Sequence, residues 1–368
     1  MDRRDFLKTT GAAAIAATGL ATAAKAARVA DRTAADHAAT AAPGLVRSTR
    51  TLRLVSPWHD DVSPIGDHVR RLARRIETAM DGRWHIEAIA NAGSGLEAVM
   101  TGDADLYIAS ENDHVGFHPA FAFFAGLPAA TGLDASGLQA WLLTAGGQEL
   151  WDALGGQFNI KSLLAGHTGA APGLWSHAPL AAPGDLAGKR IAVSGLSREV
   201  ARGLGAEPVS MPAGRIAAAF AAREIDIAEA PDASLATRRT LAAAAPYGTS
   251  SEFALDGAAI SLGMRASFWD GLTGSERIVL SALASEAFAS ALAEQTADLA
   301  MTADIKSHAP SQVPTLELLA QDISLATAKI AETVVAQMAG HDALSRRIDH
   351  SYMAFRSLTG RREPVAIG

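Results

Sequence analysis

The chain has 368 residues, 49% of them hydrophobic but only 5% aromatic, with no cysteine and a formal net charge of −7. Zero cysteine excludes disulfides, thiolate metal sites and cysteine catalysis. An acidic balance without a Lys/Arg block argues against nucleic acid as a partner, since neutralising phosphates needs a basic patch. The length allows one large domain or two lobes, and an apolar fraction dominated by alanine points to helices with small faces.

The first residues, MDRRDFLK, place Arg3 and Arg4 before a mildly hydrophobic stretch, Thr9 to Ala24, and small-residue triplets at 21–23 and 24–26. This order reads as an export signal with a processing site. Arg3-Arg4 followed by Asp5-Phe6-Leu7-Lys8 resembles the twin-arginine signal of bacteria. Removing 1–27 takes away four basic and two acidic residues, leaving a net charge of −9. Residues 28–50 are Ala/Thr-rich and aperiodic, and are expected to be a flexible leader. No later apolar run is long enough to span a bilayer, so the mature protein is expected not to be membrane-inserted.

From Thr51 the pattern alternates. Leu52 to Trp58, Trp84 to Ile89 and Leu106 to Ser110 read as strands, separated by helices at Ile65 to Met80 and Leu96 to Thr101. The β-α-β-α-β order favours a parallel sheet covered by helices. After a helical section, Leu138 to Leu154, a second strand set follows at 161–165, 173–177, 190–194, 208–211 and 225–229, with helices near 198–204, 213–222 and 234–244. Two successive α/β sheets predict two lobes, with a ligand cleft at the carboxyl ends of the strands. Thr273-Gly274-Ser275-Glu276 suits an N-cap. The helix it opens runs to about Ile305 and is around 45 Å long, enough to bridge both lobes. Pro310 and Pro314 interrupt it, and a last helix is expected from Leu316 to Leu358, broken at Gly340.

Catalytic signatures are sparse: Gly-x-Ser-x-Gly, His-Glu-x-x-His and Walker segments are missing. His114 and His118 have the spacing of a helical metal pair, but Gly116 and Pro119 oppose a helix and favour loop histidines. Gly93-Ser94-Gly95 reads as a strand-to-helix turn, or else as a helix N-terminus meeting an anionic group. Asp60-Asp61 reads as solvated loop acids. The chain is not expected to be an enzyme; an exported enzyme stays as the alternative.

Pro119 to Pro128 (PAFAFFAGLP), Gln139-Ala140-Trp141 and Gly146 to Asp152 (GGQELWD) together resemble the DctP-type extracytoplasmic solute receptors of TRAP transporters, in particular the branch binding 2-oxo acids and related monocarboxylates. Gly166-His167-Thr168-Gly169, Asp185 to Arg190, Gly203 to Val209, Ile225 to Glu229 and Phe268-Trp269-Asp270 add to the resemblance, which covers Thr51 to the C-terminus. It implies a bilobal periplasmic-binding-protein fold: 51–170 with 257–295 as lobe I, 171–256 with 296–315 as lobe II, and 316–368 as a C-terminal helical segment able to form a homodimer. It also implies a receptor that closes on a small-molecule solute and delivers it to membrane permease subunits, without a cofactor apart from a possible sodium or other cation.

The departures from the family pattern fall at the ligand positions. The arginine that clamps the ligand carboxylate corresponds to Ala192, a glutamine to Ala171, a tryptophan to Ala230, and a Tyr-Tyr-Trp run to Asn112, Asp113 and His114. Glu229 and Glu252 keep acidic positions that border the ligand or a cation. Trp58 is a candidate stacking wall or cation-π face. Losing one positive charge and gaining Asp113 predicts a pocket for a neutral polar solute or a cation. The competing expectations are a clamp restored by Arg198 or Arg190, a receptor that senses a partner instead of transporting, and a receptor of the ABC type.

Overall fold

The computed structural model describes residues 49–58, 63–89, 94–128, 131–169, 173–232, 234–249 and 257–359. The expected export signal, nearly all of the expected leader, Asp60, Asp61, Gly93, Ala171 and Glu252 lie outside them.

Lobe I is built on β1 (Arg50–Val55), β2 (Trp84–Ile89), β3 (Leu106–Ser110), β4 (Ile160–His167) and β10 (Ala259–Arg265), in the order β2-β1-β3-β10-β4. Lobe II is built on β5 (Leu174–Ser176), β6 (Arg190–Ala192), β7 (Glu207–Val209), β8 (Ile227–Glu229) and β9 (Tyr247–Gly248), in the order β7-β6-β8-β5-β9. The helices of eight residues or more and three shorter ones are α1 (Pro64–Ala79), α2 (Gly95–Thr101), α3 (Ala135–Thr144), α4 (Gly147–Gly156), α5 (Ser197–Gly203), α6 (Ile216–Ala221), α7 (Leu235–Ala244), α8 (Gly274–His308), α9 (Gln321–Ala339) and α10 (Ala343–Thr359).

Both sheets are mixed: the parallel pairing expected of the first three strands holds, and antiparallel neighbours extend it. β1 runs parallel to β2 and β3, but β10 is antiparallel to both β3 and β4. In the second sheet β6 is parallel to β7 and β8, while β5 is antiparallel to β8 and β9. The segment at 161–165, grouped by its pattern with the second strand set, belongs to the first sheet, because its partner β10 returns from lobe II. The sequence analysis missed β10: Ser261 and Gly263 break its apolar run. Gly263 is nonetheless required, since a Cβ there would overlap the Tyr107 ring. β1 stops at Val55 instead of reaching Trp58, since Pro57 has no N–H to offer the ladder.

Local chemistry sets the helices. Ser63 caps α1 by accepting the Gly66 N–H at 3.2 Å, Pro64 occupies the first turn, and Val69, Leu72, Ala73 and Ile76 form the buried stripe. Thr273 and Glu276 form a reciprocal capping box that starts the 35-residue α8, about 52 Å long at 1.5 Å per residue. Its seam of Leu280, Ala284, Ala287, Phe288 and Ala291 lies on lobe I, where small residues permit close approach. Arg71–Glu294 at 2.9 Å and the Arg75–Glu286 pair tie it to α1. Further along, Asp298 accepts the Leu235 N–H at the start of α7, so the helix crosses to lobe II.

The last expected helix starts later than Leu316. The Glu317 N–H donates to the Gly248 carbonyl, and Glu317 bridges Thr249, so backbone pairing holds this stretch extended until α9. The break near Gly340 separates α9 from α10. Both helices pack inside the chain: Val334, Val335, Met338, Ile348 and Tyr352 join the lobe I core, while Ile323 and Ala331 join a lobe II cluster. Among the described residues no helix is long and apolar enough to cross a membrane.

Candidate functional site

Trp58, Asn112, Asp113, His114, Ala192, Glu229 and Ala230 lie at or just beyond the carboxyl ends of β1, β3, β6 and β8, where open α/β sheets place ligands. Trp58 follows β1; it is half-buried, packs against the core cluster beneath α1, and its N–H donates to Ser56 Oγ at 3.3 Å. Asn112, Asp113 and His114 share one 3-10 turn, Glu111–His114, directly after β3. Ser110 Oγ starts that turn by accepting the Asn112 N–H at 3.2 Å.

The loop after β6 meets this turn. Gly195 has φ +51°, and a Cβ added to it would collide with the Asn112 side chain, so only glycine allows the contact. The next residue, Leu196, is fully buried in the cluster that contains Phe121, Phe124 and Trp141 of lobe I. Lobe II therefore seats a side chain in the core of lobe I, beside Asn112. The Asn112 amide is buried, yet neither its Oδ1 nor its Nδ2 has a hydrogen-bond partner. A buried, unpaired amide is costly in isolation, of the order of 1–3 kcal/mol, and marks a place where a polar guest would be welcome.

His114 is completely buried and donates from Nδ1 to Glu111 Oε2 at 2.9 Å, with Tyr107 and Phe121 edge-on to its ring. Its Nε2 is unpartnered. Crowding strips water from the Asp113 carboxyl and raises its pKa; Glu111 adds to the shift and His114 opposes it. The residue still exposes surface, as expected at a cleft mouth. His118, expected in a loop, is buried at the head of a second short turn and donates from Nε2 to Asp342 at 3.1 Å. The two histidines thus serve different partners, and neither pairs with the other.

In lobe II, Ala192 and Ala230 are each 3% exposed and pack in the apolar cluster of Trp175, Ile216, Phe220 and Ala228. Glu229 is half-buried at the end of β8. Arg190 is committed elsewhere: Nε lies 3.3 Å from Asp226 Oδ2, and Nη2 donates to the Arg223 carbonyl at 2.7 Å. Arg198 is half-buried in the first turn of α5 and forms no ion pair among the described residues. Among the described residues, no group of three or more His, Asp or Glu is arranged to hold a metal.

Where the chain passes between lobes, the Thr168 N–H donates to Ala258 O at 2.9 Å and Thr168 Oγ1 accepts the Ala258 N–H at 2.8 Å. Gln295 of α8 donates to His167 O. Burial lowers the His167 pKa to about 4, against a small opposing effect of Asp134, so the ring is neutral and its Nδ1 accepts the Gly169 N–H at 3.0 Å. Glu111, Gly195 and Leu196 carry no signal in the sequence that marks them as site residues. Glu111 stands beside Asn112 and Asp113 as one of two acids in a polar stretch, and only the fold distinguishes the buried one from the exposed one.

The model of bacterial extracellular solute-binding protein, family 7 (DctP), matches residues 56–337. A monocarboxylate 2-oxoacid-binding periplasmic protein of Nostoc sp. is 32% identical over 164 residues, 43% of this chain and 44% of that relative, so the match spans less than half of the relative's length. A TRAP periplasmic solute-binding protein of Pseudoalteromonas atlantica, solved with sodium and pyruvate, superposes with TM-score 0.75 at 22% identity, over 85% of this chain and 95% of that one. A second from Chromohalobacter salexigens, solved with (S)-(+)-2-amino-1-propanol, gives 0.69 at 14% identity, over 85% and 97%. The two structures share the bilobal fold, and the family match covers most of the sequence: the chain belongs to the bacterial extracellular solute-binding proteins of family 7.

Proposed function

We propose that the protein is the periplasmic receptor of a TRAP transporter, capturing a small polar solute by closure of its two lobes and handing it to the membrane permease. Export by the twin-arginine route, two lobes divided as the sequence suggests, and association of the C-terminal helices into a homodimer belong to the same proposal. The receptor carries no catalytic turnover and needs no cofactor; a sodium or other cation beside Glu229 and Glu252 is its one ionic accessory.

The observation that carries the solute preference is Asn112. Its amide offers a donor and an acceptor at the interlobe face, and the matching lobe II position, Ala192, is apolar. A carboxylate solute would need a cation to replace the clamp: Arg190 is held by Asp226, which leaves Arg198 as the expected substitute to be tested against. The favoured guests are therefore neutral hydroxyl or amide compounds, or small amines facing Asp113 and Glu229, with Ala171, Ala230 and Trp58 as the remaining walls. The amino alcohol held by the Chromohalobacter structure supports a guest of that kind on this fold, whereas the pyruvate and 2-oxoacid relatives keep the carboxylate reading alive.

A thermal-shift screen against polyols, amines and carboxylates tests the proposal. A true solute at a hundred times its Kd adds about 2.7 kcal/mol of stability. No response from any class, under conditions where the protein is folded, would favour the partner-sensing alternative.

A further inference from the structure

We infer that Glu111 is the positioning residue of the solute site: it aims the Asn112 amide across the interlobe face and thereby sets the preference for a guest with a neutral donor and acceptor. The inference rests on the reading of that face as the solute site.

Glu111 is 0% exposed, as is its partner His114. Its Oε1 accepts Tyr107 OH at 3.1 Å and Ser261 Oγ at 2.6 Å, and its Oε2 accepts His114 Nδ1–H at 2.9 Å. Ser162 Oγ, 2.9 Å from the Tyr107 hydroxyl, extends the network. One carboxylate thus ties together β3 through Tyr107, β10 through Ser261 and β4 through Ser162. Burial and the Glu111 charge both push the Tyr107 pKa up, which keeps its hydroxyl a donor. Burying a carboxylate costs several kcal/mol unless every lone pair is used well, and here three donors converge on it.

The geometry shows what the network holds. Glu111 and His114 are the two ends of one turn, and their mutual bond closes it. Asn112 and Asp113 lie between these pinned ends and cannot move far without breaking the pair. Asn112 is pressed on Gly195, with both amide atoms unpartnered. Glu111 touches no guest; it acts through Asn112.

Replacing Glu111 by Gln keeps the shape but supplies one acceptor oxygen and an N–H2 group. If the oxygen stays with Tyr107 and Ser261, the N–H2 faces His114 Nδ1, and the ring proton must move to Nε2. Two readouts in the full chain follow. The 15N shifts of His114 are expected to report Nδ1–H in the wild type and Nε2–H in Glu111→Gln. Hydrogen exchange of the Asn112 side-chain amide is expected to rise at least tenfold, while β3 and β4 backbone amides stay protected.

The lack of cysteine allows spin labels at Glu97→Cys in lobe I and Ala222→Cys in lobe II, both exposed. Glu111→Gln and Asn112→Ala should each broaden the interlobe distance distribution, and the double variant should match Asn112→Ala alone. Additive effects, or an unchanged Asn112 exchange rate, would overturn the inference. If Glu111→Gln does not fold, Ser261→Ala, which removes one donor, should shift Asn112 exchange in the same direction by a smaller factor, and no shift would count against it equally. His114→Gln can still donate to Glu111 and is expected to keep Asn112 exchange near the wild-type rate. A failed solute screen with intact Glu111–Asn112 coupling would overturn the receptor reading and with it the guest preference, leaving only the positioning of Asn112 by Glu111. A successful screen without coupling would overturn this inference alone.

Discussion

The two lobes share a plan but differ in how they are filled. Lobe I stacks Phe124 between Trp141 and Trp151, at ring separations of 5.4 and 5.2 Å, and adds Tyr352 edge-on to Trp141 at 5.0 Å. Lobe II has two smaller clusters, an aliphatic one around Leu174, Ile191 and Ile227 and an alanine-rich one around Trp175 and Phe220, on strands of two or three residues. Aromatic rings bury far more area per residue than alanine or a short aliphatic side chain, so lobe I is expected to be the more stable of the two. The C-terminal helices reinforce that difference, since α10 packs its Ile348 and Tyr352 into lobe I. At the contact between the lobes, lobe II contributes Leu196 to the core of lobe I.

The largest test of this contrast is Phe124→Ala, expected to cost about 4 kcal/mol by removing a ring stacked on both faces. Phe220→Ala should cost about 3 kcal/mol and release hydrogen exchange in lobe II while lobe I stays protected. Simultaneous loss of protection in both lobes after Phe220→Ala would break the comparison. The junction is probed by pH. His167 is buried neutral with a pKa of about 4, so the unfolded chain takes up a proton first as pH falls. The favourable contribution is full above pH 6.5, declines from there towards pH 4, and amounts to about 3 kcal/mol when lost. Urea midpoints across that range should fall less steeply for His167→Asn than for the wild type; parallel curves would refute the assignment.

A smaller effect is expected from Tyr352→Phe. The Leu133 N–H donates to the Tyr352 hydroxyl at 2.7 Å in a buried setting, and leaving it unpaired should cost about 1–2 kcal/mol in denaturant titrations. Thr273→Ala removes the cap of α8 at an exposed end and should cost about 1 kcal/mol, seen as a modest drop in Tm.

Much of the fold is legible in local chemistry. The strands at Trp84–Ile89 and Leu106–Ser110 follow from alternation and from bounded apolar runs, and Thr273 with Glu276 announces α8. What stays hidden depends on distant partners. Gly263 looks like a strand breaker until the Tyr107 ring is placed over it. Leu316 to Ala320 has helical periodicity, but Gly248 and Thr249 offer it backbone pairing instead. At the site, the departures proposed at Ala192 and Asn112 rest on the letters of the sequence. Glu111 is not legible there, because its role exists only once β3, β4 and β10 lie side by side. The same holds for Leu196, an ordinary leucine until the lobes meet.

Calorimetric titration with pyruvate asks most directly whether the site has kept the family scaffold and lost its carboxylate clamp. With Ala192 buried among apolar side chains and Arg190 held by Asp226, pyruvate is expected to give no saturable heat up to millimolar concentration. A micromolar or tighter Kd for pyruvate, unchanged by Asn112→Ala, would contradict the proposed solute preference.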